Sequence, residues 1–381
     1  MRRTGSTRRQ TWRSTPPGAD NPAGPQAPTH RGPYRRALSR RRHNDDAAAI
    51  LARMRVMMFS SKSYDRESFD VCNRSHGHQF EFLDVRLDVR TAELATGYDA
   101  VCVFVNDDVS AATAQRLAEL DVGVVALRCA GFNNVDLGAT AAAGITVVRV
   151  PAYSPTAVAE HTLALILGAD RHIHRAYQRV RDGNFSLDGL LGNGLHGATA
   201  GVVGTGRIGH HVARLLTAFG CHVLAHDPVT DAALVEAGVS YVTLAELFER
   251  SDIVALTCPL TDDTFHLVDE AALDMMKPGV MLVNTGRGAL IDTAAVIGGL
   301  KSGRIGSMAL DVYEEEGALF FEDRSTEVIA DDVFARLLTF PNVLLTAHQG
   351  FFTVPALHAI AEITLANLDD IEAGRPCPNR L

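Results

Sequence analysis

From Met54 onward, short apolar runs rich in β-branched residues alternate with stretches whose apolar positions recur every three or four residues. That alternation predicts a parallel α/β sheet, because strands covered on both faces are continuous apolar runs and each crossover between them is a helix. Runs at 56–59, 100–105, 122–128 and 145–150 predict the strands of a first α/β unit covering about residues 54–150. A second unit opens with the strand ATAGVV at 198–203. It continues through runs at 222–225, 239–242, 252–257, 279–284, 307–311 and 343–346, the βαβ repetition of a doubly wound sheet.

Helix signals join the two units. Ser154 followed by Pro155 is N-cap and first-turn chemistry, and the pattern that follows predicts one helix running to about residue 182. Its middle, LALILGA, is apolar all round, which suits a buried connector between domains. A last helix over about 353–373 is expected to return to the first unit and make it discontinuous. The expected organisation is therefore a first domain of 54–153 with 349–381, and a second of 154–348 inserted in it.

Residues 1–53 break the pattern: Pro, Gly and Arg are dense and aliphatic side chains scarce. Such a segment cannot bury enough apolar surface to order itself, and it reads as a disordered basic tail. A translated upstream region before a start at Met54, an Arg-rich transit peptide and a basic arm for anionic partners all fit it. The tail holds 12 Arg against three acids, so a chain charge of -9 divides into +9 here and -18 on the remainder. An acidic body is a poor partner for phosphate backbones, which argues against nucleic-acid binding. No uncharged apolar run reaches the roughly 18 residues of a spanning helix, so no membrane role is expected. The six cysteines lie far apart with no CxxC pair, as buried thiols in a reducing cytoplasmic compartment would.

The chemistry begins at Gly204-Thr205-Gly206-Arg207-Ile208-Gly209, which follows a predicted strand and opens a predicted helix. Glycines there permit a tight turn and close backbone approach, while the helix N-terminus offers free N–H groups to a pyrophosphate. Asp227 ends the next strand, 23 residues after Gly204, where a carboxylate would bond the ribose hydroxyls of an adenosine half. A 2'-phosphate would meet like charge there, and no Arg or Lys follows in PVTDAALVEAG to receive one, so NAD is expected rather than NADP.

Hydride transfer to a 2-keto acid needs a cation for the carboxylate, a proton donor for the developing alkoxide and a group to hold that donor. Arg287 in VNTGRGALID, Glu316 closing DVYEEE and His348 closing LLTAH supply these types, each just past a strand's carboxyl end, where open α/β sheets bind ligands. A guanidinium pairs bidentately with a carboxylate. An imidazolium at His348 would protonate the keto oxygen, with Glu316 fixing its ring. His172 and His174 do not share a helix face, and neither do His210 and His211, so no metal is expected.

These residues are the signature of a family. From about Met54 to Leu381 the chain resembles the D-isomer-specific 2-hydroxyacid dehydrogenases. Within them it is similar to the bacterial fermentative D-lactate branch, through FVNDD, LRCAGFNNVD, VRVPAYSP, IHRAYQRVRDGNFSLDGL, LFFED and the terminal CPN. The resemblance implies two Rossmann-like domains, a doubly wound NAD domain inserted in a flavodoxin-like substrate domain. It implies reduction of pyruvate to D-lactate, with Arg287 on the substrate, His348 as acid and base and Glu316 as its partner. The choice of Glu316 over Glu314 rests on family spacing, five residues beyond Asp311. The resemblance further places Asp311 near the nicotinamide, Ala130 and Gly131 around the substrate carboxylate, and Tyr153 and Phe351 on the pocket wall. Cys258, Pro259, Thr264, Thr285 and Gly286 would line the cofactor cleft, with Arg207 and Ile208 on the pyrophosphate.

Two positions depart from the family pattern. Gly286 stands where Ser is usual, implying one cofactor hydrogen bond fewer. Gly350 stands where HQAF is usual, and the missing methyl beside Phe351 implies a wider pocket. Rival readings are another small 2-keto acid (hydroxypyruvate, glyoxylate or a branched-chain acid) and an NAD-sensing corepressor. A homo-oligomer, dimer or tetramer, is expected.

Overall fold

The computed structural model describes residues 53–381. The tail assigned to 1–53 lies outside the described residues apart from Arg53, whose guanidinium pairs with Asp369 and Glu372 at 3.1 and 3.4 Å.

The first sheet holds β1 (Arg55–Met58), β2 (Gln79–Phe82), β3 (Ala100–Val103), β4 (Val124–Leu127) and β5 (Thr146–Val148), with helices α1 (Ser63–His76), α2 (Ala111–Glu119) and α3 (Leu137–Ala142) as crossovers. Its order is β2-β1-β3-β4-β5 with every pairing parallel, the flavodoxin-like arrangement. Strands β1, β3 and β4 are the apolar runs expected. The β2 segment, QFEF, is an edge strand with half-exposed Phe side chains, and its polar alternation hid it from a search for continuous apolar runs.

The chain then passes into α4 (Pro155–Asp170), capped by the Ser154 hydroxyl, which accepts from Ala157 N at 3.3 Å. The predicted single helix to 182 is broken. His172 takes the left-handed conformation (φ +49) and a separate helix, α5 (Ile173–Arg181), follows. Helix α4 packs on the seven-stranded sheet, so it belongs to the second unit and is not a free-standing connector.

That sheet comprises β6 (Thr199–Val203), β7 (His222–His226), β8 (Ser240–Tyr241), β9 (Ile253–Leu256), β10 (Val280–Asn284), β11 (Ile305–Leu310) and β12 (Val343–Leu345). Between them run α6 (Arg207–Ala218), α7 (Ala232–Glu236), α8 (Leu244–Arg250), α9 (Glu270–Met275), α10 (Thr293–Ser302) and α11 (Asp332–Leu338). The order is β12-β11-β10-β9-β6-β7-β8, all parallel, so the direction of winding reverses between β6 and β9. Ligands of doubly wound sheets bind beyond the carboxyl ends of the strands at that reversal. The final helix, α12 (Val354–Glu372), has Thr353 as N-cap and packs against α1, returning the chain to the first sheet. Among the described residues no helix is long and apolar enough to cross a membrane. All six cysteines are free, five of them buried.

Candidate active site

At the first switch point, β6 delivers the chain into Gly204, whose φ of +88 excludes an ordinary side chain. A Cβ there would also lie 2.6 Å from the Cys258 backbone, so this glycine lets the β6 and β9 ends touch. An added Cβ at Gly209 would run into the Gly204 carbonyl, which is how α6 packs directly over the turn. At Gly206 a Cβ would meet nothing within 4 Å. The space in front of the α6 N-terminus is therefore open, bounded by exposed Arg207 and half-buried Ile208, as a bound pyrophosphate requires. The Asp227 carboxylate stands beside this turn, accepting from Thr205 N at 2.7 Å and Val229 N at 2.8 Å. These features fit a dinucleotide whose ribose hydroxyls meet Asp227. Across the crevice, Thr264 ties its own loop by donating to the Pro259 carbonyl at 2.7 Å, and Thr285 shares a 2.8 Å hydroxyl contact with Thr162 of α4. Gly286 is closely packed: a Cβ would meet the Leu290 side chain at 3.1 Å and the Cys258 carbonyl at 3.3 Å.

The carboxyl ends of β10, β11 and β12 bring Arg287, Glu316 and His348 together around a cleft of about 170 Å³, also lined by Gly131, Asn133 and Asn134 of the first sheet. His348 Nδ1 lies 2.7 Å from Glu316 Oε1, while Glu316 Oε2 accepts from Tyr313 N at 3.0 Å. The carboxylate is thus fixed at both oxygens, and it orients the imidazole so that Nε2 is left free. Glu314, two residues earlier, is engaged elsewhere, with His266 at 2.6 Å and the Thr293 hydroxyl at 2.9 Å. Geometry thereby separates two glutamates that periodicity could not. Arg287 donates to the Gly286 carbonyl at 2.8 Å and its guanidinium rests on Gly131, where a Cβ would fall 2.5 Å from Nη2. Gly288 allows the next peptide to abut the Tyr313 backbone, and Asn284 Nδ2 clamps the turn by donating to the Arg287 carbonyl at 2.8 Å.

The first sheet supplies the facing wall. Buried Arg128 donates to the Phe59 and Ser60 carbonyls at 3.1 and 2.7 Å and lies over the Phe104 ring, tying the ends of β1, β3 and β4 together. Beside it, Ala130 accepts from Arg149 at 2.9 Å through its carbonyl. Tyr153 and Phe351 meet edge to face at 6.2 Å, and Phe351 and Phe321 stand 6.4 and 5.8 Å from the His348 ring. Burial pushes the Tyr153 phenol up to about 12, against the opposing Arg287 charge, so it is a neutral wall at neutral pH. Neither Arg128 nor Phe321 was assigned a role from sequence. Each sits in a segment of family resemblance, but nothing in its spacing tells a wall from a core residue. On the far side of His348 a wider cavity of about 630 Å³ opens between Lys62, Tyr64, Arg66, Phe321, Phe351 and Phe352.

Asp311 follows β11 directly. It is 2% exposed, and its carboxylate accepts from Thr346 Oγ1 (2.6 Å), Gln349 N and Gly350 N (2.8 Å each) and His161 Nε2, which lies 3.2 Å away. Its carbonyl accepts from His348 N at 2.6 Å. Burial raises this carboxyl, but the hydrogen bonds from His161 and Thr346 outweigh it and hold it at about 2. Asp311 is the hub that folds the chain after β12 into the turn presenting His348, a non-glycine residue at φ +52. Gly350 corrects an expectation. A methyl there would point at Asp311 Oδ2 (2.9 Å) and the His161 ring (3.4 Å), so its absence relieves the hub and does not widen the pocket.

The family described as "D-isomer specific 2-hydroxyacid dehydrogenase, NAD binding domain" matches residues 163–350. The chain is 52% identical over 328 residues to a D-lactate dehydrogenase of Escherichia coli (strain K12), covering 86% of this chain and all of that protein. Among solved structures, the apo form of D-lactate dehydrogenase from Escherichia coli superposes with a TM-score of 0.80 at 50% identity, over 86% of this chain and 100% of that one. A D-lactate dehydrogenase from Aquifex aeolicus, complexed with NAD and lactic acid, gives 0.75 at 32% identity over 84% and 96%.

Proposed function

Because the chain belongs to the D-isomer-specific 2-hydroxyacid dehydrogenases, we propose that it is an NAD-dependent D-lactate dehydrogenase reducing pyruvate to D-lactate. The observation that carries this reading is the 2.7 Å pair of His348 and Glu316 beside Arg287, at the same carboxyl edge of the sheet that carries the Gly204 turn. When bound, the reduced nicotinamide supplies the hydride.

The chain's own residues do the rest. Arg287, with Nη1 held by the Gly286 carbonyl, turns its remaining donors on the substrate carboxylate, and the backbone at Ala130 and Gly131 cradles the same group. His348 Nε2 gives its proton to the keto oxygen as charge develops there, while Glu316 on Nδ1 stabilises the imidazolium and fixes the ring. Tyr153, Phe321 and Phe351 exclude water from this transfer. The adenosine half sits on Gly204 to Gly209 with Asp227 on its ribose, and Cys258, Pro259, Thr264, Thr285 and Gly286 form the cleft wall. Asp311 acts from behind, through the His348 turn. The segments 54–153 with 349–381 and 154–348 are the two bodies that close on the substrate.

Six free thiols suit a reducing cytoplasmic setting. The protein assembles as a homo-oligomer. Helix α5 buries none of its residues and, with the loop after it, exposes Ile173, Tyr177, Val180, Phe185, Leu187 and Leu191, an apolar face that a second copy would cover.

The test is NADH consumption by the purified protein with a panel of 2-keto acids, chiral analysis of the product, and His348→Asn. Pyruvate is expected to be preferred and the product to be the D isomer, with kcat for the variant reduced about 10²–10⁴-fold at unchanged NADH affinity. An L product, or a variant with full activity, overturns the assignment. NADH binding without turnover favours the corepressor reading.

A further inference from the structure

Helices α1 and α12 pack against each other, and the contact is rich in metal-binding side chains. On α1, Cys72 and His76 are four residues apart and share a face; on α12, His358 and Glu362 do the same. One ligand atom from each of Cys72, His358 and Glu362 lies within 4.8 Å of the other two. A tetrahedral zinc ion with the usual bond lengths sets its ligand atoms about 3.4–3.6 Å apart, so closing the trio needs about 1 Å of side-chain rotation. His358 is exposed and free to supply it.

The surroundings are those of a metal site. Cys72 is 3% exposed, and its thiol lies against the His358 carbonyl at 3.9 Å and the Glu362 carboxylate, whose hydrogen bond with the thiol a cation would replace. His76 stands behind the trio with Nε2 3.4 Å from Glu362 Oε2 and Nδ1 2.6 Å from Asp369 Oδ2. That chain, carboxylate to imidazole to carboxylate, is the outer-shell arrangement that orients a ligating carboxylate. A neighbouring trio of His78, Asp369 and Glu372 has comparable spacing, but the Arg53 guanidinium already compensates its two carboxylates.

We infer that Cys72, His358 and Glu362 form a zinc site pinning α1 to α12, with the fourth position open to water and His76 holding Glu362 in place. A thiolate, an imidazole and a carboxylate form a mixed set that suits zinc-like cations over magnesium or calcium. The site lies apart from His348 and Glu316 and does not depend on the proposed reaction. Its structural effect is to lock the helix that begins six residues after His348 to the first helix of the substrate half.

The experiment uses the full 381-residue protein stripped with a chelator and titrated with Co²⁺, then with Zn²⁺ in competition. One equivalent of Co²⁺ is expected to raise a near-ultraviolet thiolate-to-metal charge-transfer band that Zn²⁺ abolishes. Cys72→Ser should lose the band while keeping its NADH-dependent turnover, and His358→Gln and His76→Gln should each weaken binding about tenfold or more. The exposed His358 keeps the test open should Cys72→Ser fold poorly. His348→Asn should bind Co²⁺ as the unaltered protein does. Absence of a thiolate band, or a band that survives both Cys72→Ser and His358→Gln, overturns the site.

Discussion

Replacing Asp311 by Asn tests whether the catalytic turn is built on a buried charge. The carboxylate accepts two backbone N–H groups, a threonine hydroxyl and an imidazole N–H at 2.6–3.2 Å, with almost no water access. An amide keeps one acceptor oxygen and turns two hydrogens toward groups that are themselves donors. At least one of the Gln349 and Gly350 N–H groups is then buried unpaired, at a cost of about 1–3 kcal/mol, and the charge-assisted strength of the remaining bonds is lost as well. The pH dependence gives an independent magnitude. The carboxyl is held at about 2 against an ordinary 3.8, which at roughly 1.4 kcal/mol per unit is about 2 kcal/mol of stability. Because the folded value is the lower one, that stability is present above pH 4 and is lost as pH falls toward 2, with about 1 kcal/mol gone at pH 3. Urea unfolding of the two proteins at pH 7 and pH 3 should therefore show a difference of about 3 kcal/mol or more that narrows by about 1 kcal/mol in acid. The kcat should fall with the loss of the His348 turn, while NADH affinity at the Gly204 end holds. A variant within 0.5 kcal/mol of the parent at both pH values, with kcat unchanged, would refute the hub.

Two glycines of the cofactor turn should separate cleanly. Gly204→Ala places a side chain at φ +88 against the Cys258 backbone and should lose about 1–2 kcal/mol from backbone strain alone, read as a lowered Tm. Gly206→Ala faces open space at an ordinary φ of -62 and should leave Tm unchanged while weakening NADH binding, read by fluorescence titration. Gly350→Ala, which restores the residue usual in the family, should lower stability by pressing on Asp311 and leave relative KM values across a series of longer 2-keto acids unaltered; a shift in that ranking would show that the position shapes the pocket after all.

Legibility in the sequence followed the range of the interaction. Strands such as β3 and β9 were read to within two residues, because burial on both faces leaves a continuous apolar signature. The Gly204 turn, Arg287 and His348 were legible because each combines a strand end with a chemically constrained residue. What failed was what local pattern does not encode. The break at His172 is a single left-handed residue inside a run that is helical on both sides, and β2 is an edge strand whose QFEF alternates polar and aromatic. Glu314 and Glu316 differ only in which turn each faces, and that is settled by His266 and Tyr313, 48 and three residues away from their respective partners.

The same reasoning explains why Gly350 misled the sequence reading. Next to Phe351, a missing methyl suggests room for substrate; in space, the direction of the Cα–Cβ bond decides, and it points into the Asp311 and His161 contact instead. Cys72, a buried thiol as expected, lies 286 residues from His358, so no spacing rule brings the two together. Only the return of α12 onto α1 does so. Both features are consequences of a chain that leaves the first sheet at residue 154 and comes back after 348. Residues whose meaning depends on that return are read last, and in this protein they include the contacts that hold His348.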